Sequence, residues 1–108
     1  MTEISVINFI EVPNGMEKEA EDVRSIYADY FRKQKGFVST TFYRSVVDEK
    51  YQKYVNIVVW DSYESFQAVV NLGFSDQDGK NSDGMKVLGK GFPAPIRVLP
   101  SQYEIIAT

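Results

Sequence analysis

Residues 54–66 read YVNIVVWDSYESF, and the run up to Trp60 limits the possible folds more than any other stretch. Alternate side chains of an extended chain face opposite ways. Asn56, Val58 and Trp60 therefore share one face, and Val55, Ile57 and Val59 share the other. Apart from Asn56, both faces are apolar, so both need a cover. Asp61 and Glu64 have capping-box spacing and open a helix directly after the strand. Tyr63, Phe66, Val69 and Val70 fall on its inner face, and Gly73 ends it. Helices on one side leave the second face bare. In a chain of 108 residues the simplest cover is the same sheet on a second copy.

The other elements fit that need. ISVINFIEV at 4–12 is β-branched and apolar and reads as the first strand. A turn at PNG leads into a helix in which Met16, Ala20, Val23, Tyr27, Tyr30 and Phe31 recur on one face. Asn14 and Glu17 are spaced as its capping box, and Gly36 stands where a C-terminal glycine belongs. FVSTTFYRSVV at 37–47 is the second strand, DEKYQK a polar hairpin connection, and 54–60 the third strand. Residues 74–95 are polar and glycine-rich, with a short helix expected near 82–88. IRVLPSQYEIIAT at 96–108 closes the chain as the last strand, centred on Tyr103–Ala107 and with Pro100 as an interruption. The whole of 1–108 reads as one domain.

This order, β-α-β-β-α-β, is the split βαβ of the ferredoxin-like α+β folds. Right-handed crossovers put both helices on one face of an antiparallel sheet. The first and third strands are expected side by side, and parallel to each other, which would make Asn8 and Asn56 neighbours.

Composition excludes more than it suggests. There is no cysteine and no histidine. A Ser-His-Asp site, a thiol nucleophile, zinc thiolates and a His-ligated haem are all ruled out. A net charge of −3 and a pI near 4.9 argue against nucleic acid as a partner. No stretch is long and apolar enough for a membrane span, and the N-terminus lacks a basic leader pattern. The reading is therefore cytoplasmic. Asp76, Asp78 and Gly79 hint at a calcium loop, but the closing bidentate Glu is missing.

VINFIEVPNGMEKEAEDV, KQKGFVSTTFYRSVVDEKYQKYVNIVVWDSYESFQAVV and the closing QYEII resemble the antibiotic biosynthesis monooxygenase family of dimeric α+β barrels. The resemblance implies a homodimer in which two such sheets pack together. It also implies oxidation without metal, haem or flavin, with no cofactor at all. In the family, an Asn and a Trp four residues apart on the third strand line the pocket, which points to Asn56 and Trp60 as the catalytic pair. A family Tyr six residues after the Trp is Phe66 here. The family's later Arg has Lys80 or Lys86 as stand-ins, and its hairpin His has no counterpart. The haem-degrading branch relies on a His ligand, so haem is not expected as a partner, although Asn8 matches that branch's first-strand Asn.

The chemistry this leaves is oxidation of a phenolic, quinol or polyketide-like aromatic by O2. Asn56 and Trp60 can donate hydrogen bonds to a developing oxyanion, and Asn8 can add another. Asn8, Phe66, Tyr27 and Tyr63 are the expected substrate-binding residues. Phe9, Phe42 and Tyr30 complete an aromatic wall for a small aromatic ligand. Each residue also has a plainer role: Trp60 as a core anchor, Asn56 as a satisfied sheet asparagine, the aromatics as core. The alternative function is a non-catalytic small-molecule-binding or stress-associated protein of the same fold. Whether the chain is an enzyme stays open at this point.

Overall fold

The structure, a computed structural model, describes residues 2–47, 50–70 and 92–108. The elements run β1 (Ile4–Pro13), α1 (Glu17–Arg32), β2 (Phe37–Arg44), β3 (Tyr51–Trp60), α2 (Tyr63–Val69) and β4 (Arg97–Tyr103). The helix expected near 82–88, Gly73, the calcium-like Asp76, Asp78 and Gly79, and Lys80 and Lys86 lie outside the described residues.

The strands form one sheet in the order β2-β3-β1-β4, and each neighbouring pair is antiparallel. This is the ferredoxin-like α+β fold. The expected parallel pairing of β1 with β3 is incorrect. The crossover through α1 makes β2 parallel to β1, and the hairpin then reverses the chain, so β3 enters between them antiparallel to both. Asn8 and Asn56 are nonetheless direct cross-strand partners.

Several element ends differ from the sequence expectation for local reasons. β2 stops at Arg44 because the Ser45 hydroxyl accepts from Val47 N–H at 3.1 Å, turning the chain early. β3 starts at Tyr51, within the expected connection, because Glu11, Val12 and Pro13 of β1 pair with Lys53, Gln52 and Tyr51. β4 takes only the front half of the expected last strand, Arg97–Tyr103, and runs through Pro100 without interruption, a position tolerated on an edge strand. Residues 104–108 are exposed and outside the strand.

The helix starts also shift. Pro13 O accepts from Met16 N–H in a turn that places Gly15 at φ 98°, so Asn14 belongs to the turn and is not the cap. Met16 takes the N-cap position with no side-chain hydrogen bond. The expected capping box does not form; Glu17 instead accepts from Gly15 N–H at 2.7 Å, bracing the turn. Before α2 the cap is Ser62 rather than Asp61, accepting from Ser65 N–H at 3.1 Å. Asp61 N–H is committed to Gly36 O at 2.8 Å.

That last contact explains Gly36. The C-cap of α1 is Lys33, so Gly36 does not end the helix. It adopts φ 90° where the chain crosses beneath the start of α2, and a Cβ there would collide with the Ser65 side chain and press on the Asp61 carboxylate. Gly36→Ala should cost about 2–4 kcal/mol, from left-handed strain together with overpacking. At roughly 4–8 °C per kcal/mol for a domain of this size, a thermal melt should fall by about 10 °C or more. A melt unchanged by this substitution would contradict the close approach.

The face of the sheet under the helices carries the core. Val6, Val58 and Trp60 pack with Tyr27, Phe31, Phe66, Val69 and Val70, and a second cluster gathers Ile10, Val12, Ala20, Tyr54 and Ile96. The opposite face is apolar, and none of the described helices covers it. Tyr43, Val55, Phe9 and Leu99 form one row across it, and Thr41, Ile57, Ile7 and Ser101 the next.

Candidate functional site

Asn56 sits at the centre of the covered face. Phe42 pairs with it from β2 and Asn8 from β1. Placing a carboxamide here, 7% exposed in an otherwise apolar layer, requires a partner. Arg24 of α1 supplies it: its Nε–H donates to Asn56 Oδ1 at 3.0 Å, and its Nη2 donates to Thr40 Oγ1 at 2.9 Å. Thr40 in turn donates to the backbone oxygen of Ile57 at 3.0 Å. The guanidinium also lies 5.0 Å from the centre of the Phe42 ring, a cation–π distance. Burial, and then the charge of Arg32, lower the pKa of Arg24 from its ordinary value. A guanidinium stays protonated all the same.

Asn56 and Arg24 line a cavity between sheet and helices, together with Asn8, Trp60, Tyr27 and Phe66. Five of the six residues singled out from the sequence as candidates therefore share one space. Val6, Ile10, Phe31, Val58, Val70 and Phe92 complete the apolar wall. Trp60 is 1% exposed and meets the rings of Phe31 and Phe37 edge-on at 5.6 and 6.1 Å. Tyr27 stacks between Phe31 and Phe92. Asn8 Oδ1 is buried and has no hydrogen-bond partner among the described residues. Such a group costs about 1–3 kcal/mol, which an occupant donating a hydrogen bond would recover.

Tyr63, the sixth candidate, does not face this space. It is 43% exposed, touching Phe66 at the outer side of α2. With the cap moved to Ser62, it occupies the first helical position, whose side chain points to solvent, and Phe66, Val69 and Val70 form the inner face. Phe9 is also off the wall, because strand parity puts it on the opposite face from Asn8; it is 49% exposed. Phe42 stacks on Tyr54 at 4.9 Å and lines an adjoining open groove with Glu21, Ser25 and Arg44. Tyr30 packs on the core without lining the cavity. Arg24 forms part of both the cavity wall and the groove wall.

Arg24 is a functional residue that local charge patterning does not single out. Its spacing carried the signal: it lies four residues after Ala20 and four before Ala28, both buried. The apolar spacing of α1 already turned Phe31 inward, whereas no local pattern marked Phe92 as a wall residue. The free volume of the cavity is about 30 Å3, room for a water or two rather than an aromatic ring. A ring can enter only if part of the wall moves. Among the described residues, no group of three or more His, Cys, Asp or Glu could hold a metal ion, and no helix is long and apolar enough to cross a membrane.

Solved structures share the fold. SnoaB, a cofactor-independent oxygenase from Streptomyces nogalater, is 25% identical with a TM-score of 0.72, over 100% of this chain and 97% of its own. The heme-degrader MhuD from Mycobacterium tuberculosis, with two hemes bound in its active site, is 24% identical with a TM-score of 0.62, over 97% of each chain. A dimeric ferredoxin-like protein from an uncultured marine organism is 14% identical with a TM-score of 0.69, over 100% of this chain and 99% of its own. The likeness to MhuD corrects one expectation: this fold accommodates haem in a relative, so the fold gives no ground for excluding haem as a partner. A search of curated proteins returns no match. The family profile described as antibiotic biosynthesis monooxygenase matches residues 3–73. With the fold and the sequence in agreement, the chain belongs to the antibiotic biosynthesis monooxygenase family, whose members support a monooxygenase-type function.

Proposed function

We propose that this protein is a homodimeric, cofactor-independent monooxygenase acting on a phenolic, quinol or polyketide-like aromatic. The observation that carries this reading is the gathering of Asn8, Asn56 and Trp60 around one cavity. The Asn56 oxygen is taken by Arg24, which leaves its NH2 as a donor for the occupant.

The chemistry balances without a co-reductant. An anthrone-like CH2 or a hydroquinone loses a proton to give an electron-rich anion. The anion passes one electron to O2, and the carbon radical and superoxide combine to form a C–O bond. A proton completes the hydroperoxide. For an anthrone, O–O cleavage then expels water and leaves a carbonyl, so CH2 and O2 become C=O and H2O. In this scheme Asn56 and Trp60 hold the anionic oxygen through N–H donors, and the cationic guanidinium of Arg24 favours the anion. Tyr27 and Phe66 position the ring. No carboxylate lines the cavity among the described residues, so the substrate's own acidity supplies the anion, with water as proton acceptor. That same lack favours the second reading, a non-catalytic binding protein. Oxygen uptake by the purified protein with anthrones and hydroquinones separates the two. Saturable uptake above the buffer rate supports the monooxygenase; uptake at the buffer rate across the panel supports the binding protein.

The second copy is inferred from the bare sheet face, where Phe9, Tyr43, Leu99 and Tyr103 are all more than 40% exposed. Sedimentation at micromolar concentration should give about twice the monomer mass, since a contiguous apolar face of this kind favours association. A monomer would contradict the assignment.

A further inference from the structure

We infer that Arg24 is a positioning residue whose task is to fix the rotation of the Asn56 carboxamide, so that this group meets the substrate as a donor. The inference rests on the proposed reaction for its kinetic consequence, but not for its geometry.

The polarity of each link in the chain is forced. A backbone carbonyl only accepts, so the Thr40 hydroxyl spends its proton on Ile57 O at 3.0 Å. Its lone pair then receives Arg24 Nη2 at 2.9 Å. A guanidinium only donates, so the Asn56 atom 3.0 Å from Nε has to be the oxygen. The amide nitrogen is therefore turned away from Arg24, and Asn56 lines the cavity. Without Arg24, the two ends of the carboxamide differ little in energy, and a half-turn would present an acceptor to the occupant. An acceptor facing a developing oxyanion is repulsive, so the rotation of one side chain decides between stabilising and opposing the anion.

Lysine cannot take over this role. Its ammonium is a compact charge without the planar fork that reaches Asn56 and Thr40 together. The Phe42 ring lies 5.0 Å from the guanidinium carbon, and together with the two hydrogen bonds it confines the side chain.

The test uses 15N-labelled full-length protein. The Asn56 side-chain NH2 pair is assigned by its disappearance in Asn56→Asp. In the parent this pair should give one sharp set of signals with nuclear Overhauser contacts to cavity-lining side chains. In Arg24→Met and Arg24→Lys it should broaden or shift, with those contacts weakened. If Arg24→Met does not fold, Thr40→Ala, which frees the far end of the guanidinium, should show the same change. An unchanged Asn56 pair in the folded variants overturns the inference. With an anthrone substrate, kcat should fall about 10- to 100-fold in Arg24→Met, in line with the cost of a small misplacement. KM should change little, and Arg24→Lys should not restore the rate. A raised KM with kcat intact would make Arg24 a binding group and overturn the positioning role. If the parent shows no turnover, the proposed reaction fails, and the amide signals still decide the role of Arg24.

Discussion

Asn56→Leu should lower oxygenase turnover about 100- to 1000-fold, the usual effect of removing one oxyanion donor. It should also destabilise the fold. An asparagine held only by an occupant or a water could be replaced by leucine with no loss of stability. Here Oδ1 accepts from Arg24 Nε at 3.0 Å, and leucine leaves that half-buried donor without its acceptor. The expected cost is about 1–3 kcal/mol. A double variant, Asn56→Leu with Arg24→Met, removes both partners and should regain part of that stability while staying inactive. Melts and turnover of the three variants check both statements. Equal stability of parent and Asn56→Leu would contradict the hydrogen-bonded pair.

Ile57→Lys should split the proposed dimer. Ile57 lies on the bare face, between Thr41 of β2 and Ile7 of β1. On a monomer, a lysine there would be a surface change worth about 0.5 kcal/mol or less. At the centre of a two-fold contact it buries a charge from each copy against apolar neighbours, at a cost of several kcal/mol per ion. The dissociation constant should rise by about a thousandfold or more, since each 1.4 kcal/mol is a factor of ten. Sedimentation of Ile57→Lys across a concentration series should show monomer where the parent is dimeric. A dimer that survives the substitution would move the contact to another surface.

Strand parity and helix spacing made much of this site legible. The alternation in YVNIVVW puts Asn56 and Trp60 on one face, and ISVINFIEV brings Asn8 alongside. The apolar spacing of α1 correctly places Tyr27 and Phe31 under the sheet. What was not legible depends on contacts between distant segments. Arg24 reads as an ordinary helix charge until β2 and β3 supply Thr40 and Asn56 as its acceptors. Gly36 reads as a helix terminator until α2 is seen packing against it. Tyr63 reads as an inner residue until the cap moves from Asp61 to Ser62 and turns it outward. The direction of the β1–β3 pairing depends on the hairpin reversal between β2 and β3, which sets β3 antiparallel to both of its neighbours.

The most direct measurement of the central claim uses 18O2 with protein stripped of metals and flavins. A 9-anthrone should be converted to the quinone with one 18O atom in the new carbonyl and the second in water. One O2 should be consumed per substrate, and Asn56→Leu should abolish the enzymatic share of the rate. A product carbonyl carrying only oxygen from water, or labelling at the same rate with Asn56→Leu as with the parent, would contradict an oxygenase site built on Asn56.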